Sequence, residues 1–243
     1  MAKALHEAKL NTSWIQPNEE WDTAMRDFVA KILDPSSRNK FIPAFLPVAK
    51  DIARLGAVNS LTQLLLKLTS PGVPDIYQGN EIWDYSLVDP DNRRPVDYKR
   101  RQEMLELVAK PNAHDVVRNW TDGRIKMFLT HRVLQFRRTH GELFQQGDYL
   151  PINPSGTFAD CCVSFSRKLA DKWIVTIVPR LSSRVGFPPV AQLWKDTAIQ
   201  IPETLSLAHA HDLFTCRPVP VQDRRVNLAD AMSILPFTVI TNL

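Results

Sequence analysis

The sequence predicts an α+β chain, mainly helical over residues 1–146 and built as a small antiparallel β-sandwich domain over 147–243. Two observations carry this. Apolar residues recur at helical spacing through the first half, and the pattern changes to alternation beyond Gly147. In addition, Pro154, Pro179, Pro188, Pro189, Pro202, Pro218 and Pro220 cut the second half into short pieces, as in small all-β domains.

In chain order, Met1–Glu7 reads as the interior of a helix and lacks the hydrophobic stretch of a secretory signal. Asn18 is placed to cap a helix whose first turn holds Glu19 and Glu20, which favour the positive end of the helix dipole. Trp21, Ala24, Met25, Phe28, Val29, Ile32 and Leu33 follow at helical spacing until Asp34-Pro35. Ser36 to Pro47, with two prolines, is expected to be a connector. A second helix is expected from Val48 to Leu68, apolar on several faces at Leu61, Leu64, Leu65, Leu66 and Leu68 and so buried on more than one side.

Ser70-Pro71-Gly72 ends that helix, and 73–77 is a strand candidate, completing the helix–turn–strand order of an α/β unit. A polar loop spans 80–97. Helices are expected near Lys99–Ala109 and Gly123–Arg138, the second with a buried stripe of Ile125, Phe128, Leu129, Val133 and Phe136. Arg132, Arg137 and Arg138 are expected to complement the C-terminal dipole of that helix, and Trp14, Trp21 and Trp120 to pack between helices. Further on, Cys161, Val163 and Phe165, then Trp173, Val175 and Ile177, alternate as in half-buried strands. Shorter candidates are 197–201, 212–215 and 237–240.

Composition narrows the function classes. A hydrophobic content of 44% allows a sizeable core, and no apolar run is long enough to cross a bilayer. Three cysteines, two of them adjacent, form neither a disulfide framework nor a zinc pattern, which fits a reducing cytoplasm. The net charge of +4 is spread among acids, so neither nucleic acid nor membrane is expected as a partner. The histidines show no metal-ligand spacing, and no cofactor is expected.

The chemistry concentrates in Tyr77 to Tyr98. Carboxylates at Glu81, Asp84, Asp89, Asp91 and Asp97, adjacent Arg93 and Arg94, amides, and the rings of Tyr77, Trp83, Tyr85 and Tyr98 share one irregular segment. Such an inventory suits a sugar: hydroxyls bond to carboxylates, amides and guanidinium forks, and a pyranose face lies on an aromatic ring. The same residues also suit a surface ion-pair network, and Asp89-Pro90-Asp91-Asn92 suits a turn.

Gly72 to Glu81 resembles the last-strand segment of the α-amylase superfamily. Its continuation, Ser86 to Asp97, is similar to the narrower family of maltooligosyl trehalose synthases. So are Thr12-Ser13-Trp14-Ile15 with Pro17-Asn18, Leu66 to Asp75, Asp122-Gly123-Arg124-Ile125-Lys126, Leu143-Phe144 and Gly147 to Pro151. The matches run in family order from residue 4 to 151, and the β region resembles the family more loosely.

The resemblance implies that residues 1–146 are the remnant of a (β/α)8 barrel: an insertion after strand seven, then strand eight at 73–77 with its rim loop and helices. It implies an intramolecular transglucosylase that converts the reducing-end α-1,4 link of a maltooligosaccharide into an α,α-1,1 link, the reaction of an isomerase in trehalose biosynthesis. The superfamily uses an Asp nucleophile, a Glu acid/base and a further Asp, a retaining arrangement. These are expected upstream of Met1, so no catalytic residue is assigned here, and the isolated chain is expected to be inactive. The substrate-binding candidates are Tyr77, Gln78, Glu81, Trp83, Asp89, Asp91, Asn92, Arg93, Arg94 and Asp97. The alternative is a non-catalytic carbohydrate-binding or interaction module. A severed barrel would expose apolar surface, so self-association is also expected.

Overall fold

The computed structural model describes every residue except Ser37, Leu87, Val88, Asp89, Pro90 and Pro111, and every other side chain but that of Asp91. The chain forms two compact units, Met1–Arg54 and Leu55–Leu243.

The first unit holds α1 (Ala2–Ala8), α2 (Glu19–Ile32) and the start of α3 (Phe41–Thr69). The Asn18 side chain caps α2 by accepting from the Trp21 amide at 3.1 Å. Its own amide donates to the Thr12 hydroxyl, which in turn donates to Asp22. His6 Nε2 lies 2.7 Å from the same carboxylate. Thr12 is the only buried residue among those described in this unit. Trp14 and Trp21 are therefore not the packing residues expected from sequence: they are 58% and 36% exposed. Trp14 stands edge-on to His6 and donates its indole N–H to Glu7. A unit with no apolar core gives large rings nothing to pack into.

Helix α3 begins at Phe41, seven residues before the expected start, so 41–47 is helix and not connector. Pro43 lies in the first turn, where its missing N–H would have no intrahelical partner, and Pro47 removes only one bond early in a long helix. Asn39 sets the start. Its Oδ1 accepts from the Phe41 amide at 2.9 Å, and its Nδ2 donates to the Ile32 and Asp34 carbonyls at the end of α2.

The second unit continues with α4 (Tyr98–Ala109), α5 (Ala113–Arg118), α6 (Arg124–Thr139) and α7 (Gly141–Gln146), followed by β1 (Asp148–Ile152), β2 (Pro154–Ser155), β3 (Cys162–Leu169) and β4 (Lys172–Pro179). Then come α8 (Ser182–Val185), β5 (Ala198–Gln200), β6 (His211–Asp212), β7 (Arg225–Asn227), α9 (Leu228–Ala231) and β8 (Thr238–Thr241). One sheet has the order β1-β3-β4-β8-β6 and the other β2-β5-β7, with antiparallel pairing throughout. Strands β1, β2 and β7 escape the sequence pattern. Pro151 sits in edge strand β1, where its missing donor is tolerated, and β2 and β7 are too short to show a period.

Strand β4 is buried on both faces, not half-buried. Ile174 and Val178 join a core with Leu61, Leu65 and Leu68 of α3 and Phe128, Leu129 and Val133 of α6. Trp173, Val175 and Ile177 face the other way, into a core with Ile199, Val226 and Trp194. Helices cover one face of the large sheet and the small sheet covers the other.

Two arginines fix the end of α3. Arg167, 1% exposed, donates to the carbonyls of Thr69, Phe144, Gly147 and Asp148. Arg137 donates to the Leu68 carbonyl at 2.7 Å and lies over the Phe144 ring. Arg137 thus serves the C-terminus of α3 and not, as expected, that of its own helix. Arg132 likewise donates to the Leu213 carbonyl. Favourable placement of cations at helix C-termini holds here across elements.

The strand expected at 73–77 is absent. These residues pair with no strand among those described, and Val73 is 97% exposed. A five-residue parallel strand exists only through a neighbour's ladder, and every ladder described here is antiparallel and starts at or beyond Asp148.

Candidate functional site

The segment after α3 leaves a turn at Gly72, runs irregularly to Tyr77, and turns again where the Asn80 amide donates to the Tyr77 carbonyl. An open cleft of about 380 Å³ lies here, lined by Ser60, Gln63 and Lys67 of α3, by Asp75, Tyr77 and Asn80, and by Lys126 of α6. Tyr77 is 45% exposed and turns part of its ring to solvent. Burial pushes the Lys126 ammonium below its usual range and Lys67 adds to this, while Asp84 and Glu81 pull the other way.

Two sets of contacts hold the following loop. At its stems, Arg101 of α4 donates from Nε to the Glu81 carboxylate at 2.9 Å. Its Nη2 donates to the Gly79 carbonyl at 2.5 Å and its Nη1 to the Asp97 carbonyl at 3.0 Å. The Tyr98 hydroxyl donates to Gln78 at 3.2 Å. Just past the first stem, Lys126 donates to the Ile82 carbonyl at 3.2 Å, and the Trp83 indole N–H donates to the Trp120 carbonyl at 2.7 Å. Gly123, at φ 93°, lets the start of α6 approach the loop. A Cβ there would lie 2.8 Å from Ile82 Cβ and 3.0 Å from the Trp83 amide nitrogen. Arg124 stiffens the same corner by pairing with Asp115 and Asp122, each at 2.7 Å.

The candidates from sequence fall in different places. Tyr77, Gln78 and Glu81 gather at the first stem, beside the cleft or Arg101. Trp83 faces inward, half-buried against Trp120 with Lys126 5.9 Å from its ring centre, so it is a bolt of the loop rather than an open platform. Asp97 caps α4, accepting from the Arg100 amide at 2.9 Å. A single 3₁₀ turn covers Asp91–Arg93, and Arg93 and Arg94 are exposed. Asp89 and the Asp91 side chain lie outside the described residues. Asp84, between the two fastenings, is held below the usual carboxylate range by hydrogen bonds from Ser86, with Lys126 and Arg101 assisting.

No protein-family model matches the chain. A putative maltooligosyl trehalose synthase of Mycobacterium tuberculosis is 38% identical over 172 residues, covering 68% of this chain and 19% of the relative. The solved maltooligosyltrehalose synthase of Arthrobacter ramosus superposes with a TM-score of 0.78 at 26% identity, covering 98% of this chain and 29% of that one. A second maltooligosyl trehalose synthase structure matches at 0.77 and 29% identity, covering all of this chain and 29% of the other. The chain belongs to the maltooligosyl trehalose synthase family. It spans 19% to 29% of the length of the family members it matches. An Anoxybacillus α-amylase shares the fold alone, with a TM-score of 0.51 at 16% identity over 81% of the chain.

Within this family chain, sequence reasoning missed the two residues that fasten the loop. Lys126 stood in a motif noticed only as a resemblance, Asp122 to Lys126, whose members prove to buttress Ile82 and Trp83. Arg101 carried one local signal, an arginine one turn beyond the capping Asp97. Its main partners lie 20 and 22 residues earlier in the chain.

Proposed function

We propose that this chain is the C-terminal part of an enzyme that converts the reducing-end α-1,4 link of a maltooligosaccharide into an α,α-1,1 link. In this reading residues 1–146 complete a (β/α)8 barrel and 73–77 becomes its eighth strand once its neighbours are supplied. The loop to Asp97 then lies at the rim, where barrel enzymes build their sites. The catalytic carboxylates come from outside this chain. Its share of the work is to shape a closed pocket in which the released glucose turns over, sheltered from water, before it is rejoined. The free state of the three cysteines fits a reducing cytoplasm, and among the described residues no helix is long and apolar enough to cross a membrane.

One observation carries the reading: nearly the whole chain superposes on maltooligosyl trehalose synthases while filling 29% of their length. Maltohexaose incubated with the full-length parent is expected to yield a non-reducing trehalose-type product, and with this chain alone no product. Turnover by the isolated chain would overturn the placement of the catalytic groups.

A second reading, a carbohydrate-binding module, draws on the cleft at Tyr77, which these residues form by themselves. Titration of the chain with maltohexaose separates the two. Saturable binding lost in Tyr77→Ala, without turnover by the full-length parent, favours the module.

A further inference from the structure

We infer that Trp120 is a positioning residue: it ties Ile82 and Trp83 to the segment 182–194 beside the small sheet, and so holds the Lys126 wall of the cleft at Tyr77. The consequence for sugar handling rests on the proposed function, but the tie rests on the geometry alone.

Trp120 is engaged on two sides. Toward the loop, its carbonyl accepts the Trp83 indole N–H at 2.7 Å, and its ring stands edge-on to that of Trp83 with centres 6.4 Å apart. Toward the sheets, the same ring stands edge-on to Phe187 with centres 5.6 Å apart. Edge-to-face pairs at such distances attract beyond the area they bury and favour a particular angle between the rings. The rings of Trp120 and Phe187 line one apolar groove with Val58, Leu61 and Ile125, so the contact is made among carbon groups.

Phe187 in turn stands on an anchored segment. Val185, just before it, is buried in the core that holds Trp194, Ile199 and Val226. Trp194 donates its indole N–H to the carbonyl of Pro189, just after it, at 2.8 Å.

At the loop the fit is close. Gly123 follows Trp120 by one short turn, and a Cβ there would lie 2.8 Å from Ile82 Cβ. Lys126 then donates to the Ile82 carbonyl, lies 5.9 Å from the Trp83 ring centre and lines the cleft. A displacement of Trp120 is therefore passed to Ile82, to Trp83 and to the ammonium beside the cleft. Through Phe187, a polar cleft with little apolar burial of its own is braced against the small-sheet core.

Hydrogen exchange of the indole N–H groups, followed by NMR, reads the tie directly. In this chain Phe187→Ala is expected to speed exchange of the Trp83 indole N–H about tenfold, and Phe187→Tyr, which keeps the ring, to leave it unchanged. The Trp173 indole, bonded to the Ser206 carbonyl, is expected to exchange as in the wild type in both variants. An unchanged Trp83 rate in Phe187→Ala overturns the tie. Equal acceleration of both indoles overturns it too, since Phe187 would then serve only general stability. In the full-length parent, Phe187→Ala is expected to raise KM for maltohexaose about fivefold while kcat stays within about twofold, with Phe187→Tyr restoring the wild-type KM. Faster Trp83 exchange with an unaltered KM overturns the positioning role. If the wild-type parent makes no trehalose-type product, the proposed function falls and with it the consequence for sugar handling, while the exchange rates still decide the tie.

Discussion

Strand β4 and the 78–97 loop are held in place by opposite means. Both faces of β4 are sealed, one by helices and one by the small sheet, so its position is the sum of many contacts between apolar groups. The described part of the loop buries little besides Ile82. Directed donors from Arg101, Lys126 and Trp83 hold it at residues 79 to 83 and at Asp97. A loop that keeps polar groups open to solvent cannot be fixed by apolar burial, because those groups need access. It is fixed from behind, by cations and indole N–H groups aimed at backbone carbonyls.

The contrast should break most clearly at Trp173. This ring is 1% exposed on the small-sheet face of β4, and its N–H donates to the Ser206 carbonyl. Trp173→Ala is expected to cost about 3–5 kcal/mol in urea unfolding, the range for emptying a large aromatic site. Tyr85→Ala, at an 82% exposed loop position, is expected to stay within about 0.5 kcal/mol. Comparable losses at the two positions would refute the contrast. Arg167→Met comes next, at about 2–3 kcal/mol. It keeps most of the volume but strands the carbonyls of Thr69, Phe144 and Gly147, whose bonds to the guanidinium are buried or partly buried. A neutral result would mean that packing alone fixes the end of α3.

Where a feature is local, the sequence announced it. The Asn18 cap and the buried stripe of α6 appear at the expected positions, and β3 and β4 are strands where strands were expected, although neither is half-buried. Reading Trp173, Val175 and Ile177 as an alternating face missed that Trp173 to Val178 is almost continuously apolar, the mark of a strand covered on both sides. What could not be read is whatever depends on distant partners. Residues 73–77 have strand chemistry without a neighbour to pair with, so propensity alone leaves them irregular. The polar inventory of 77–98 was visible, but not the division of labour within it. Trp83 and Asp97 turn out to hold the loop, and Arg101 and Lys126 do so from helices outside it.

Asp97→Ala tests that division at smaller scale. Loss of a single capping acceptor should cost about 1 kcal/mol. Urea unfolding reads this cost, and a neutral result would mean that the Arg101 bond to the Asp97 carbonyl holds the start of α4 without the cap.

The smallest effect is expected as a gain, at Asp212 in the sheet. This buried carboxyl accepts from the Phe214 and Thr215 amides and from the hydroxyls of Thr215 and Thr238. Burial nevertheless raises its pKa above the ordinary carboxylate range, against those hydrogen bonds. A carboxyl raised on folding contributes stability that is complete below its unfolded pKa and is lost as pH rises through its folded pKa. Asp212→Asn does not titrate, and its Oδ1 can keep the three bonds from Phe214 and Thr215, while its amide N–H can donate to a rotated Thr238 hydroxyl. The stability difference between variant and wild type should therefore move in the variant's favour as pH rises from the ordinary carboxylate pKa toward neutrality. Urea midpoints of both proteins across that interval measure it. A difference that stays flat, or moves toward the wild type, would mean that the four donors outweigh burial and that Asp212 sits ionised inside the sheet.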